Sequence, residues 1–311
     1  MEKVAVIGSG MIGSSWALFF ALRGFIVSLY DIDENTHLQA ISKIKDNIYF
    51  LFRKDLITEK RKTEALFNIK LAQDIGSSVE GAFWVQESIS ESYTVKNSVF
   101  KDIESCAEPT AIIASSTSTL SVNCMQEAFS LPERFLVAHP FNPPHLIPLI
   151  EIVPGEKTSA KTLETARAFF YSLGKEPVVL NKEVSGYIAN RLSAALWREA
   201  IDLVEQGVCS VKEIDKAVFS GPGLRWALMG PHLTYHLEGG KGGIKHFLEH
   251  IGPAFEKTME DLAKWSKISQ GARDRLYKEL QKECSQEEIE KYVFWRDKKL
   301  IELLKLKDIE V

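Results

Sequence analysis

Short apolar runs alternate with longer stretches of helical periodicity through the first half of the chain. The runs VAVI, FIVSLY, AFWVQES, AIIAS, FLVA, LIEIV and EPVVLN each predict a β-strand. Two of the stretches between them, residues 34–54 and 59–66, carry apolar residues at helical spacing, with Lys and Glu on the faces predicted to meet solvent. Strands that alternate with helices predict a parallel sheet covered by helices on both faces.

The pattern changes near residue 183. From KEVSGYIANRL onward no further strand pattern occurs, and helical periodicity continues into the tail. The glycine-rich segment LEGGKGGIKHF predicts a loop that opens a helix, since no strand precedes it. The tail predicts an amphipathic helix whose Tyr292, Phe294 and Trp295 pack in a core or in a subunit interface. We therefore predict an α/β domain over residues 1–183 and an all-α domain over residues 184–311.

A glycine turn joins the first predicted strand to the first predicted helix. Gly8, Gly10 and Gly13 have the G-x-G-x-x-G spacing, and Asp31 ends the next apolar run eighteen residues after Gly13. This context predicts a Rossmann-type dinucleotide site, with phosphates at the helix N-terminus and the ribose hydroxyls on Asp31. The negative charge of Asp31 favours NAD over NADP. The predicted cofactor residues of this turn are Gly8, Gly10, Met11, Ile12, Gly13 and Asp31. The alternative is an accidental glycine turn before an ordinary helix.

A histidine at a strand end is the candidate for the proton transfer that accompanies hydride transfer. His139 ends the run FLVA, and open α/β sheets bind ligands at strand ends. Glu151 lies twelve residues later in the apolar run LIEIV, where a carboxylate needs a partner. A hydrogen bond between the two would fix the tautomer of the imidazole. The alternative is a structural histidine with an unrelated glutamate.

These motifs, in this order, resemble the 3-hydroxyacyl-CoA dehydrogenase family over nearly the whole chain. The matching segments are GSGMIG, ESYTVK, SSTS, HPFNP and GYIANRL. The resemblance implies that His139 is the general base and that Glu151 orients it. It further implies that Ser118 and Asn190 hydrogen-bond the reacting oxygen, and that three residues lie near the nicotinamide riboside: Glu91, Lys96 and Ser116.

Within this family the chain most resembles the λ-crystallin and L-gulonate 3-dehydrogenase branch, with L-carnitine dehydrogenase as a near relative. The segment GPGLRWALMGP contains Arg225, which family members that use CoA typically lack at this place. A guanidinium group can bind a free carboxylate through two hydrogen bonds. The alternative for Arg225 is a surface or interdomain salt bridge. Trp226 follows it as in carnitine dehydrogenases, where the λ-crystallin branch has tyrosine, and we expect it to contact the substrate.

Together these observations predict NAD-dependent oxidation of the 3-hydroxyl of a small free L-3-hydroxy carboxylate to the 3-oxo acid. The substrate would be gulonate-like or carnitine-like. One alternative is an L-3-hydroxyacyl-CoA dehydrogenase, in which Lys54 and neighbouring basic residues would hold the CoA phosphates. A second alternative is a λ-crystallin-like structural protein, although the complete set of His139, Glu151, Ser118 and Asn190 favours an enzyme.

Composition excludes several other classes. The net charge of −4 and the pI near 6.0 argue against a nucleic-acid partner. The sequence contains no uninterrupted apolar run of about 18 residues, so we expect no membrane span. Four scattered cysteines predict core thiols in a reducing compartment and no metal site. No signal peptide is visible, so we expect a cytoplasmic protein. The family resemblance implies a homodimer formed through the C-terminal domain.

Overall fold

The computed structural model describes residues 1–307 and 309 and divides into two compact units. The first unit holds residues 1–190 with the described residues of the C-terminus, and the second holds Arg191–Leu303. The sequence predicts the domain boundary after residue 183, whereas the division in the structure follows Asn190. Helix α8, Ala189–Glu205, begins at this division.

The strands of the first unit form a sheet of eight strands in the order β3-β2-β1-β4-β5-β6-β7-β8 within the described residues. The strands are β1 Lys3–Ile7, β2 Ile26–Tyr30, β3 Ile69–Leu71, β4 Ala82–Glu87, β5 Ile112–Ser115, β6 Phe135–Pro140, β7 Leu149–Pro154 and β8 Glu176–Val179. The predicted Rossmann-type fold is confirmed. The short edge strand β3 follows a helix directly and has no alternating pattern of its own, so the sequence did not predict it.

The sheet is parallel, as predicted, except between β6 and β7. β7 runs antiparallel to β6, and β8 runs parallel to β7. The physical reason is the connection between β6 and β7, residues 141–148, because a parallel crossover needs about a dozen residues or more. The antiparallel pairing places His139 directly opposite Glu151.

Helices cover both faces of this sheet. They are α1 Met11–Leu22, α2 Glu34–Arg53, α3 Glu59–Asn68, α4 Ile75–Val79, α5 Tyr93–Cys106, α6 Val122–Gln126 and α7 Ala160–Ser172. Helix α1 is buried along nearly its whole length, and Trp16 packs against Phe20 and Phe170. On the other face Phe100, Phe129 and Phe135 pack together. This core fixes the β1–α1 turn and the ends of β4, β5 and β6.

The second unit is helical, as predicted. Its helices, after α8, are α9 Val211–Ser220, α10 Pro222–Trp226, α11 Pro231–Glu238, α12 Gly243–His250, α13 Gly252–Asp261, α14 Gln270–Glu283 and α15 Ile289–Leu306, of which the last three residues belong to the first unit. The glycine-rich segment forms a short 3₁₀ turn that opens α12, which confirms its prediction as a loop before a helix. None of the described helices is both long enough and apolar enough to span a bilayer.

The structure corrects one expectation about side-chain packing and excludes one of two alternatives in another. Cys106 and Cys124 are exposed, so the prediction that the cysteines fill the core is wrong for these two residues. Cys106 is the last residue of α5, where a helix end meets solvent. Tyr292, Phe294 and Trp295 on α15 are 48%, 51% and 58% exposed, which excludes a core role for them in the single chain.

Candidate active site

The β1–α1 turn is shaped by two glycines that cannot carry a side chain. Gly8 has a φ of +96°, and a β-carbon there would lie 2.6 Å from the carbonyl oxygen of Ser88. A β-carbon on Gly13 would overlap the carbonyl oxygen of Gly8. A β-carbon on Gly10, by contrast, would meet no atom within 4 Å. The first two glycines therefore hold helix and strand together, and Gly10 leaves room for a phosphate to approach the backbone.

Helix α1 begins where this turn ends. Gly10 is its N-cap and has no side chain to bond the first N–H groups, and the first turn has no acidic residue. Met11 opens the helix and is 60% exposed. An uncapped helix N-terminus attracts anions through its N–H groups and its dipole. The turn therefore fits the pyrophosphate of a dinucleotide.

Asp31 lies beside the same turn, directly after β2. Its Oδ2 accepts hydrogen bonds from the backbone N–H of Ser9 at 2.6 Å and from the Ser9 hydroxyl at 3.0 Å. Asp31 Oδ1 accepts from the N–H of Asp33 at 3.2 Å. These contacts hold the carboxylate next to the glycine turn, where a ribose hydroxyl of the bound dinucleotide is expected.

A second group of polar side chains follows β4 and β5. Glu91 accepts hydrogen bonds from the Thr117 hydroxyl at 2.7 Å and from the N–H of Ser118 at 3.0 Å. The Ser116 hydroxyl lies 2.8 Å from the Gln86 amide nitrogen and 2.8 Å from the Ser88 hydroxyl. The loops after both strands are therefore bonded to each other.

Lys96 lies beneath these loops. It is 1% exposed, and its Nζ donates to Glu87 Oε1 at 2.6 Å and to the carbonyl of Ile89 at 3.2 Å. Glu91 Oε2 is 3.9 Å from the same nitrogen. A buried ammonium needs such a carboxylate partner, and sequence reasoning missed Glu87 because it ends an ordinary strand. In this position Lys96 fixes Glu87 and supports Glu91.

The histidine and the glutamate form the buried pair that the sequence suggests. His139 Nδ1 and Glu151 Oε2 are 2.8 Å apart, and the two residues are 6% and 1% exposed. Glu151 Oε1 accepts from the backbone N–H groups of Ile188 and Ala189 at 2.8 and 3.0 Å. Glu151 therefore joins the imidazole to the first turn of α8, whose second residue is Asn190.

These contacts determine the charge of Glu151 and, through it, the tautomer of the neutral His139 imidazole. Burial raises the pKa of Glu151, but the hydrogen bonds from His139, Ala189 and Ile188 outweigh it, so that its pKa lies below the ordinary 4.5. An ionised Glu151 can only accept, so the proton of the neutral imidazole sits on Nδ1. His139 Nε2 is then left as the basic nitrogen.

The ring of Tyr187 packs against that of His139. Its ring centroid is 5.3 Å from that of the His139 ring, and the residue is 2% exposed. Its backbone has a φ of +51°, and it directly precedes the two N–H groups that bind Glu151. The sequence gives no signal for this residue beyond its place between a glycine and a helix.

Arg225 and Trp226 end helix α10 in the second unit. Arg225 forms an ion pair with Glu238 on α11, and about half of its side chain is exposed. Trp226 is 39% exposed. The ion pair matches the salt-bridge alternative for Arg225, and the half-exposed guanidinium group remains accessible to an anion.

Two family models match nearly the whole chain. The model of the 3-hydroxyacyl-CoA dehydrogenase NAD-binding domain matches residues 3–184, and the model of the C-terminal domain matches residues 186–279. The chain belongs to the 3-hydroxyacyl-CoA dehydrogenase family. This dehydrogenase therefore uses NAD, which confirms the predicted cofactor. The glycine turn and Asp31 fit the pyrophosphate and a ribose of NAD.

This dehydrogenase is similar to several named relatives. An L-carnitine dehydrogenase of Bacillus cereus is 37% identical over 98% of this chain and 92% of the relative. The L-carnitine dehydrogenase of Oceanobacillus iheyensis is also 37% identical, over 98% of each chain. Among solved structures, an NAD⁺-dependent 5-formyl-3-hydroxy-2-methylpyridine 4-carboxylic acid 5-dehydrogenase has a TM-score of 0.80 at 28% identity, over 98% of each chain. The (S)-3-hydroxybutyryl-CoA dehydrogenase of Ralstonia eutropha has a TM-score of 0.67 at 26% identity, over 82% of this chain and 88% of that one.

Proposed function

We propose that this dehydrogenase oxidises the 3-hydroxyl of a small free L-3-hydroxy carboxylate, of which L-carnitine is the leading candidate, to the 3-oxo acid. The observation that carries the proposed chemistry is the hydrogen bond between His139 Nδ1 and Glu151 Oε2. The similarity to L-carnitine dehydrogenases over nearly the full length supports the choice of substrate. An L-gulonate-like acid would present the same 3-hydroxyl and carboxylate.

The residues of the first unit supply the proton chemistry. When bound, NAD supplies the acceptor for the hydride that leaves the carbinol carbon. His139 Nε2 takes the proton of the substrate hydroxyl, and Glu151 stabilises the imidazolium that results. Ser118 and Asn190 donate hydrogen bonds to the oxygen as it gains carbonyl character. Glu91 and Ser116 would lie near the nicotinamide riboside of bound NAD, and Lys96, 3.9 Å from Glu91 Oε2, supports Glu91.

We further propose that Arg225 binds the substrate carboxylate and that Trp226 contacts the substrate beside it. Arg225→Met should raise KM for a free hydroxy acid about 10- to 100-fold, because hydrogen bonds to a charged group contribute roughly 1.5–3 kcal/mol. The measurement is the initial rate of NADH formation against substrate concentration. For a CoA thioester, which lacks the free carboxylate, the same variant should leave KM unchanged.

Glu238→Gln is the matched control, since it removes the same ion pair but keeps the guanidinium group. The proposal predicts that Glu238→Gln leaves KM unchanged or lowers it, because Arg225 loses a competing carboxylate. Equal increases of KM in both variants would show that the ion pair is only structural.

We also propose that a second copy of the chain covers the apolar surface of the second unit. Several large apolar side chains of this unit are more than half exposed, and burial against a second copy would remove their apolar surface from water. They include Trp197 at 57%, Phe219 at 64%, Leu224 at 62%, Leu228 at 62%, Leu248 at 60% and Trp295 at 58%.

Light scattering should therefore give a mass near twice the 35.0 kDa of the chain. Trp197→Glu should raise the dissociation constant of the dimer about 30-fold or more, since a buried tryptophan anchor contributes about 2 kcal/mol or more to an interface. Phe67→Glu, at a 67% exposed position of the first unit, should leave the mass unchanged. A mass of one chain for the wild type at micromolar concentration would contradict the proposal.

A further inference from the structure

The Tyr187 hydroxyl is a buried polar group beside the proposed base. It has no hydrogen-bond partner among the residues that the structure describes. A buried tyrosine hydroxyl ordinarily finds a partner, because leaving the group unsatisfied is unfavourable. Its position next to the His139 ring indicates that the missing partner belongs to the chemistry of the site.

The backbone at this point also requires an explanation. Gly186 and Tyr187 have φ values of +76° and +51°, and this region is unfavourable for a residue with a side chain. A second glycine would make the same turn without strain. The turn itself is used, because it presents the next two N–H groups to Glu151. A tyrosine at a backbone position that favours glycine points to a role for its ring and hydroxyl.

The charges around the hydroxyl determine what it can bind. Burial and the carboxylates of Glu183, Glu91 and Glu151, with Tyr93, raise the pKa of Tyr187, so that the hydroxyl keeps its proton and can donate. Each of the three carboxylates already accepts hydrogen bonds from other groups. Their negative charge repels an anionic group at this place. The partner of the hydroxyl is therefore an uncharged oxygen.

We propose that Tyr187 donates a hydrogen bond to an uncharged oxygen of the substrate, its hydroxyl before oxidation and its keto oxygen afterwards. This inference rests on the proposed function, because it takes the molecule held against His139 to be the substrate. The ring of Tyr187 also limits the orientation of the imidazole. The Tyr187 hydroxyl acts together with Ser118 and Asn190 at the reacting oxygen. This contact is therefore the same for a free acid and for a CoA thioester.

Tyr187→Phe tests this contact, because it removes the hydroxyl and keeps the ring. The probe is whichever of L-carnitine, L-gulonate and 3-hydroxybutyryl-CoA the wild-type holoenzyme oxidises. We expect kcat/KM to fall about tenfold, the upper range for one hydrogen bond to a neutral group. The Kd for NADH, measured by fluorescence, should not change. The melting temperature without ligands should stay the same or rise, because no internal hydrogen bond is lost.

Tyr171→Phe is the matched control, since Tyr171 is 71% exposed, and it should behave as the wild type. An unchanged kcat/KM in Tyr187→Phe would overturn the proposal. A lower melting temperature would also overturn it, because the hydroxyl would then have a partner inside the protein. A weaker Kd for NADH would assign the contact to the cofactor instead. His139→Ala, assayed in parallel, separates this inference from the proposed base. If His139→Ala keeps its activity, the proposed function fails, whereas an inactive His139→Ala beside an unchanged Tyr187→Phe overturns only the role of Tyr187.

Discussion

Replacing His139 by alanine is expected to lower kcat by about 10²- to 10⁴-fold, the usual contribution of a general base. The imidazole is the group whose Nε2 is left basic by the bond from Nδ1 to Glu151. Without it, the proton of the substrate hydroxyl passes only to water. NADH binding should survive, because the glycine turn and Asp31 contact neither His139 nor its partner through any hydrogen bond found in the described residues.

Stopped-flow measurement of NADH formation, together with fluorescence titration of NADH, checks this prediction. His250→Ala, which changes an exposed histidine of the second unit, is the control for loss of an imidazole at a remote position. Near-normal turnover of the His139→Ala variant would contradict the assignment of His139 as the general base. Loss of NADH affinity in proportion to the loss of rate would assign His139 to cofactor binding.

The second large effect is expected for Glu151→Gln, which should lower kcat by up to about 10⁴-fold. A neutral amide in place of a carboxylate that orients a histidine stabilises the wrong tautomer and fails to stabilise the imidazolium. Glu151 also accepts from two N–H groups at the start of α8, and the amide nitrogen of glutamine cannot accept. Steady-state kinetics and NADH titration give kcat, KM and Kd for this variant.

The same substitution has a predicted effect on stability that depends on pH. The pKa of Glu151 in the folded protein lies below 4.5, so the ionised carboxylate stabilises the fold above that pH. This contribution is lost as the pH falls through the lowered pKa of the folded state. Glu151→Gln should therefore lower the free energy of unfolding by about 1–3 kcal/mol at pH 7, and by less as the pH falls through the lowered pKa of the folded state. A loss that stays the same at every acidic pH in urea titrations would contradict the lowered pKa of Glu151.

The sequence predicted the cofactor turn and the histidine pair because both are set by local features. Gly8, Gly10 and Gly13 lie within one turn, and Asp31 follows the adjacent strand. The twelve-residue interval between His139 and Glu151 is folded at its middle by the short segment 141–148. Two strands joined in this way pair antiparallel, and this brings the two residues to opposite positions.

The remaining features depend on contacts between distant parts of the chain. Lys96 forms a buried ion pair with Glu87. The sequence does not indicate which of its lysines is buried or which carboxylate pairs with it. The position of Tyr187 against His139 depends on a turn with positive φ that no composition signal marks. The amphipathic pattern of α15 is compatible with packing in the core or in a subunit interface. Only the exposure of Trp295 in the structure excludes the core. Arg225 likewise has a partner, Glu238, that follows from the packing of α10 against α11.

We propose above that this NAD-dependent dehydrogenase acts on a small free 3-hydroxy acid. This substrate class is tested by the initial rate of NADH formation by the wild-type protein with L-carnitine, L-gulonate, L-3-hydroxybutyrate and 3-hydroxybutyryl-CoA at matched concentrations. We expect rapid turnover of a free acid, L-carnitine foremost, and little activity with the thioester. Turnover confined to the CoA thioester would contradict the proposed free-acid substrate and make the protein a 3-hydroxyacyl-CoA dehydrogenase in substrate as well as in family.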